Sequence, residues 1–310
     1  MKTISRFYFI TLVILLTACE KDVPVIGFTK CEDLPDDINI IYQKFPFVSA
    51  STVNTSRDIV YFIENYEDGS RHLYKANLLG SDKVLLDSNF YLRGEFSSNS
   101  KGVIAFIDKD FRLKFYNTFD KTILTTTITP ARHPKWADDS ILYVEHSQKL
   151  GYPFYLCKVS KSGNIIDTID TEGYLNGTFI PSKGWVFSDQ EDYSDLLFYN
   201  GKERVKIVDG RDDPDSNIFG LCWSKKQNRL YYSRIGSGIY SYSFENGRSE
   251  LVVRSCASKA FTHLSISSDE NHLLARREIY SDYNNESSDC HVQEVLTLIN
   301  LQTLEVLPIN

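Results

Sequence analysis

Three side chains with anion-binding chemistry, Arg93, His133 and His263, stand at one place in a recurring unit, three residues ahead of the markers Phe96, Trp136 and Ile266. Arginine offers a planar fork of donors, and histidine donates either as a neutral ring or as a cation near neutral pH. The same step back from Val53, Phe179 and Trp223 lands on Ala50, Asn176 and Gly220, so the six positions describe a polar ring. Such a ring is either a ligand site or the ordinary lining of a wet channel, and a slip of one residue would turn the set to the opposite face. Tyr66, Tyr152, Tyr193, Tyr280 and Tyr283 fall in loop-like segments beside acidic residues. Each ring can meet a protein partner, stack on a sugar, or pack its own loop. Asp209, Asp212, Asp213 and Asp215 lack the DxDxDG spacing with a distal Glu, so no metal site is expected. No GxSxG, HExxH or phosphate loop occurs, and no cofactor motif. Glu191 or Asp192 could serve His133 as an acid–base partner only if the fold joins them, and no catalytic residue is assigned.

The elements that must position these residues repeat. The apolar segments Ile59-Val60-Tyr61-Phe62, Val103-Ile104-Ala105-Phe106, Ile141-Leu142-Tyr143-Val144, Trp185-Val186-Phe187, Leu230-Tyr231-Tyr232 and Leu273-Leu274-Ala275 recur at intervals of 38 to 45 residues. Each is followed by a hairpin pattern, clearest in Ile239-Tyr240-Ser241-Tyr242-Ser243-Phe244, where aromatic and small polar residues alternate before Asn246-Gly247. That period suits four short strands and their turns. The expected fold is all-β: a six-bladed β-propeller of four-stranded antiparallel blades over residues 45–310, in preference to a large β-sandwich. The segment from Ile38 to Phe47 is placed to add a strand to the last blade and close the ring. Trp136 and Trp223 are expected to pack sheet on sheet. The links between blades, and the loops from second to third strands, should share one face. They hold the long excursions at residues 65–68, 146–152, 189–193, 209–217 and 280–290, which makes that the working face.

Two resemblances sharpen this reading. His133-Pro134-Lys135-Trp136-Ala137-Asp138-Asp139, Cys222-Trp223-Ser224-Lys225 and Ile266-Ser267-Ser268-Asp269 resemble the Pro-x-Trp-Ser-x-Asp-Gly entries of TolB-type β-propellers, a match that implies the architecture and a partner-binding role. At the N-terminus, Lys2 and Arg6 precede the apolar run Phe7 to Leu16, and Leu16-Thr17-Ala18-Cys19 resembles the lipobox of a bacterial lipoprotein. The apolar run is short of the ~20 residues needed to cross a bilayer. The resemblance implies a signal peptide at residues 1–18, an acylated (palmitate-type) Cys19, and a tether or closing segment at residues 19–44. Glu20-Lys21-Asp22 is similar to the export tags of Bacteroidetes lipoproteins, which points to the outer membrane, with surface-exposed and periplasm-facing orientations both open.

Composition bounds what such a protein does. The 310 residues carry a formal charge of −7, and loss of Lys2 and Arg6 with the signal peptide would take it to −9. With no basic cluster, nucleic acid is excluded as a partner. Beyond Cys19 lie Cys31, Cys157, Cys222, Cys256 and Cys290. In an oxidising envelope Cys256 and Cys290 are the expected disulfide, while Cys157 and Cys222 sit in strand patterns and read as small buried hydrophobes. The leading expectation is a membrane-anchored recognition module for a protein partner or extracellular ligand such as a glycan. A polysaccharide lyase or hydrolase and a structural assembly factor in an envelope complex are the alternatives.

Overall fold

A computed structural model describes residues 47–54, 58–66, 68–93, 96–148, 154–169, 174–189, 194–210, 217–256, 259–280 and 291–309, none of them helical. Blade one comprises β1 (Phe47–Asn54), β2 (Ile59–Asn65), β3 (Arg71–Asn77) and β4 (Val84–Asp87). Blade two is β5 (Ser97–Ser98), β6 (Val103–Ile107), β7 (Leu113–Asn117) and β8 (Ile123–Thr125). Blade three is β9 (Ala131–Trp136), β10 (Ile141–His146), β11 (Tyr155–Ser160) and β12 (Ile165–Ile169). Blade four is β13 (Tyr174–Ile180), β14 (Gly184–Asp189), β15 (Leu196–Tyr199) and β16 (Arg204–Val208). Blade five is β17 (Ile218–Ser224), β18 (Arg229–Arg234), β19 (Gly238–Ser243) and β20 (Arg248–Arg254). Blade six is β21 (Lys259–Ile266), β22 (His272–Tyr280), β23 (His291–Asn300) and β24 (Val306–Pro308). Every sheet runs in sequence order with antiparallel pairing, and the six form a closed ring, a six-bladed β-propeller as expected.

The second strands explain why the repeat was readable. Each lies between two neighbouring blades, so both of its faces are buried: β2, β6, β10 and β18 are buried along nearly their whole length, with an apolar or aromatic run at the centre of each. Alternate residues then serve alternate neighbours. Tyr61 and Ile63 pack with Phe90, Phe96 and Phe106 of blade two and its approach, whereas Val60 and Phe62 pack with Leu274 and Leu296 of blade six. The described core consists of six such clusters, one at each blade interface. Outermost strands have no outer neighbour, and β8 and β12 are correspondingly exposed. Trp136 lies 5.4 Å from Phe115 across the blade two–three interface, and Trp223 packs against the cluster shared by blades four and five, both sheet on sheet as expected.

The segment expected to close the ring lies, apart from Phe47, outside the described residues. Phe47 opens β1, the innermost strand of blade one, and the sixth sheet contains β21 to β24 alone among the described residues; residues 38–46 lie outside them. Among the described residues the seam is made by packing β1 against β21, β22 and β23 and by a side-chain clasp. The amide and hydroxyl of Ser268 donate to Asp58 Oδ1 at 2.9 and 2.5 Å. The same device joins other blades: Ser100 donates its amide, at 2.9 Å, and its hydroxyl to Asp139 Oδ1, and Ser224 Oγ and the Lys226 amide donate to Glu270 Oε2 at 2.5 and 2.7 Å. These turns occupy the face opposite the long loops, which is scaffold.

Candidate functional site

The ring of positions inferred from the repeat is a repeated feature of the backbone. In β9, His133 and Pro134 are set against a single residue of β10, between the pairs Lys135 with Tyr143 and Arg132 with Glu145. Asn176 and Gly177 in β13, Gly220 in β17, and His263 with Leu264 in β21 interrupt their ladders in the same way. These are β-bulges, which re-aim side chains. The extra residue turns left-handed at His133 (φ 44°), Gly220 (φ 72°) and His263 (φ 54°). A glycine is required at position 220, because a Cβ there would sit 2.6 Å from the Leu264 amide nitrogen and 2.8 Å from that of His263. In β1 the irregularity falls at Ser49, next to Ala50.

On the loop-bearing face, blades one to three enclose a cavity of about 600 Å³. Arg71, at the start of β3, lines it with Tyr91, Leu92 and Arg93 of the link into blade two, Ile107, Lys109 and Phe111 around the β6–β7 turn, and Ala131, Arg132 and His133 of β9. No lining residue is acidic, although the chain as a whole carries −7. The guanidinium groups are fixed by the backbone. Arg71 Nη1 donates to the Leu92 carbonyl at 3.1 Å and Arg93 Nε to that of Lys109 at 3.0 Å. Arg93 also lies 4.3 Å from the centre of the Phe111 ring, and Arg132 lies 3.9 Å from that of Phe154. Phe111 itself has φ 58°, a left-handed conformation that costs a bulky residue about 1–2 kcal/mol and marks a position held by its surroundings. Among the described residues no carboxylate lies within ion-pair distance of Arg71, Arg93 or Lys109.

Two acids beside the lining residues, Asp108 and Glu145, are otherwise engaged, and Asp110 stands between Lys109 and Phe111 in the same turn. Burial alone would push the Asp108 carboxyl up, but it is held below the usual range by the amides of Arg112 and Asp110 and by Lys114 at 2.9 Å. Glu145, on β10 and nearly inaccessible, places Oε1 3.1 Å from His133 Nδ1. The carboxylate partner of His133 is therefore Glu145, from the neighbouring strand; Glu191 and Asp192 lie outside the described residues. The arrangement is a preorganised set of cations around half-apolar walls, with one carboxylate-paired imidazole among them.

Of the residues singled out in sequence, Arg93 and His133 come together here. His263 does not join them: it lines a separate central cavity of about 220 Å³ with Lys135, Trp136, Phe179 and Trp223, and its Nδ1 lies 3.0 Å from Thr262 Oγ1. Tyr66 also stands apart. Its hydroxyl donates to Glu64 at 3.1 Å and contacts the Tyr74 hydroxyl at 2.7 Å, and burial, Tyr74 and Glu64 all raise its pKa. That ring packs its own blade. Asn176 and Tyr280 sit in β13 and β22, with side chains outside the described residues, where Cys19, Tyr152, Tyr193, Tyr283 and Cys290 also fall. Cys256 is disulfide-bonded, its partner outside the described set, and Cys157 and Cys222 are buried free thiols. Asp209 lies 3.7 Å from Lys206, and no group of metal-ligating side chains occurs among the described residues. Arg71, Lys109 and Arg132 were missed in sequence. Their one signal is that each falls at the loop-face end of a strand or in a turn that meets the same two blade interfaces.

No family model matches the chain, and no curated protein sequence is similar to it. Solved structures share the fold at low identity. The β-propeller domain of the trilobed protease from Pyrococcus furiosus, described as having an open velcro topology, is 12% identical over 86% of this chain and 98% of its own, with a TM-score of 0.53. An oligogalacturonate lyase in complex with manganese is 14% identical over 83% of this chain and 75% of its own (TM-score 0.52). A chain of the nidogen/laminin complex is 11% identical over 66% of this chain and 78% of its own (TM-score 0.51).

Proposed function

We propose that this protein is a lipid-anchored recognition module of the bacterial outer membrane, held through Cys19, whose propeller captures an anionic extracellular ligand or partner on its loop-bearing face. The observation that carries the ligand class is the cavity between blades one and three. Three cations there have no carboxylate within ion-pair distance among the described residues of an otherwise acidic protein, and cations gathered against low-dielectric walls focus potential on an incoming anion. Titration with citrate as a simple polyanion tests it. Binding is expected to weaken with added salt and to be lost in the Arg71→Ala/Arg93→Ala double variant; affinity unchanged in that variant would refute the reading. Incorporation of labelled palmitate, abolished by Cys19→Ser, tests the anchor.

One observation favours a second reading, the polysaccharide lyase or hydrolase. An imidazole held by a buried carboxylate, on the wall of a cationic cavity, has the parts of a proton acceptor beside an anionic substrate. The fold it shares with an oligogalacturonate lyase is compatible with that chemistry. Glu145→Gln would then depress turnover of an acidic glycan while sparing its binding. No turnover by the unaltered protein leaves recognition as the function.

A further inference from the structure

We propose that the ligand of the cationic cavity is an acidic oligosaccharide, its carboxylates held by Arg71, Arg93, Lys109 and Arg132 and one sugar ring seated against Tyr91 and Phe111. This rests on the anion-binding reading above and narrows it. The cavity, at about 600 Å³, is far larger than a lone inorganic anion needs, and its walls are as much apolar as charged. Tyr91 stands at the rim with 49% of its surface exposed, in a link where packing asks for no large ring. A ligand that satisfies both kinds of wall has anionic edges and apolar C–H faces, as a pyranose acid does.

The charged groups also discriminate among anions. Arg71 and Arg93 each spend one donor on a backbone carbonyl, so their planes are set in advance, and their remaining donors form a planar edge that matches a carboxylate. The guanidinium fork fits carboxylate and phosphate alike, so the choice between them rests on how the cations are spread. The cations come from β3, the blade one–two link, the β6–β7 turn and β9, so charge is spread along the cavity. That distribution suits several carboxylates in a row better than one focused dianion.

The test is calorimetric titration of the full-length protein with trigalacturonate, its uncharged counterpart galactotriose, and the ring-free citrate. Trigalacturonate is expected to bind and galactotriose to bind at least ~10-fold more weakly. Arg93→Ala should weaken trigalacturonate and citrate alike by ~10-fold or more, the loss expected for charge-assisted hydrogen bonds. Tyr91→Ala, at an exposed position that leaves folding intact, should weaken trigalacturonate roughly three- to tenfold and leave citrate unchanged. Equal affinity for citrate and trigalacturonate, or no effect of Tyr91→Ala, overturns the sugar-acid inference while the anion cavity stands. Failure of both anions to bind overturns the two together.

Discussion

The ring's seam lends itself to a quantitative test. Between blades one and six no peptide link among the described residues joins adjacent sheets, so the clasp of Ser268 on Asp58 does there what chain connectivity assists elsewhere. Hydrogen bonds to a charged acceptor contribute about 1.5–3 kcal/mol each, and both of these share one carboxylate oxygen at a half-buried site. Asp58→Ala should therefore cost about 3 kcal/mol. Part of any loss could come from placing alanine at φ 50°, a conformation that aspartate and asparagine tolerate better. Asp58→Asn keeps the conformation and one acceptor and should cost roughly half as much. Asp58→Gly, relieved of backbone strain, should still lose the clasp. Urea unfolding gives the stabilities, and hydrogen exchange of β1 and β21 locates the opening. Asp139, which receives the same two bonds from Ser100 at a covalently linked interface, is the control: Asp139→Ala should lower stability without raising exchange at the seam. Losses below about 0.5 kcal/mol for Asp58→Ala, or equal exchange in the Asp58 and Asp139 variants, would refute the argument.

Other substitutions have expected outcomes of their own. Gly220→Ala drives a Cβ into the backbone of blade six and should cost about 1–3 kcal/mol in thermal or urea unfolding; a neutral result would mean that the two bulges can move apart. Burial raises the Glu294 carboxyl to about 7, Arg276 opposing and Glu278 adding to the effect. A raised folded pKa in an acid means stability that is present at low pH and is lost as pH climbs from about 4.5 through 7, on the order of 3 kcal/mol. Glu294→Gln should flatten the stability profile across that window, and an unchanged slope would assign it to other groups. Burial pushes the Cys222 thiol up to about 12 and raises Cys157 as well, so neither should react with iodoacetamide until urea unfolds the protein.

The blades were legible because burial on both faces forces a continuous apolar run on every second strand, and six such runs at near-equal spacing admit few folds. The equivalence of the inner-strand positions was legible for a related reason, though not that they are bulges. Counting back from an inner-strand marker finds a fixed height in each sheet, which is why His133, Gly220 and His263 proved equivalent in backbone conformation. Side-chain direction at that height was not legible, since it depends on local partners. Glu145 lies beside His133 at the cavity of blades one to three, and Thr262 lies beside His263 at the central one. Arg71, Lys109 and Arg132 were invisible because three different elements contribute them, and only the radial order of the sheets makes neighbours of them. The clasp at the seam was not legible, because a serine and an aspartate in two short turns carry no hydrophobic signature.

Gly220 and the bulge that faces it leave one consequence. At that height the adjoining sheets meet main chain to main chain, within a distance that admits no side-chain atom. The spacing of blades five and six at that height is therefore set by amide groups, whose size no substitution can alter. Loops above can lengthen, shorten and change charge without transmitting those changes to the axle, so new specificities could be tried at the rim while the frame stays in true.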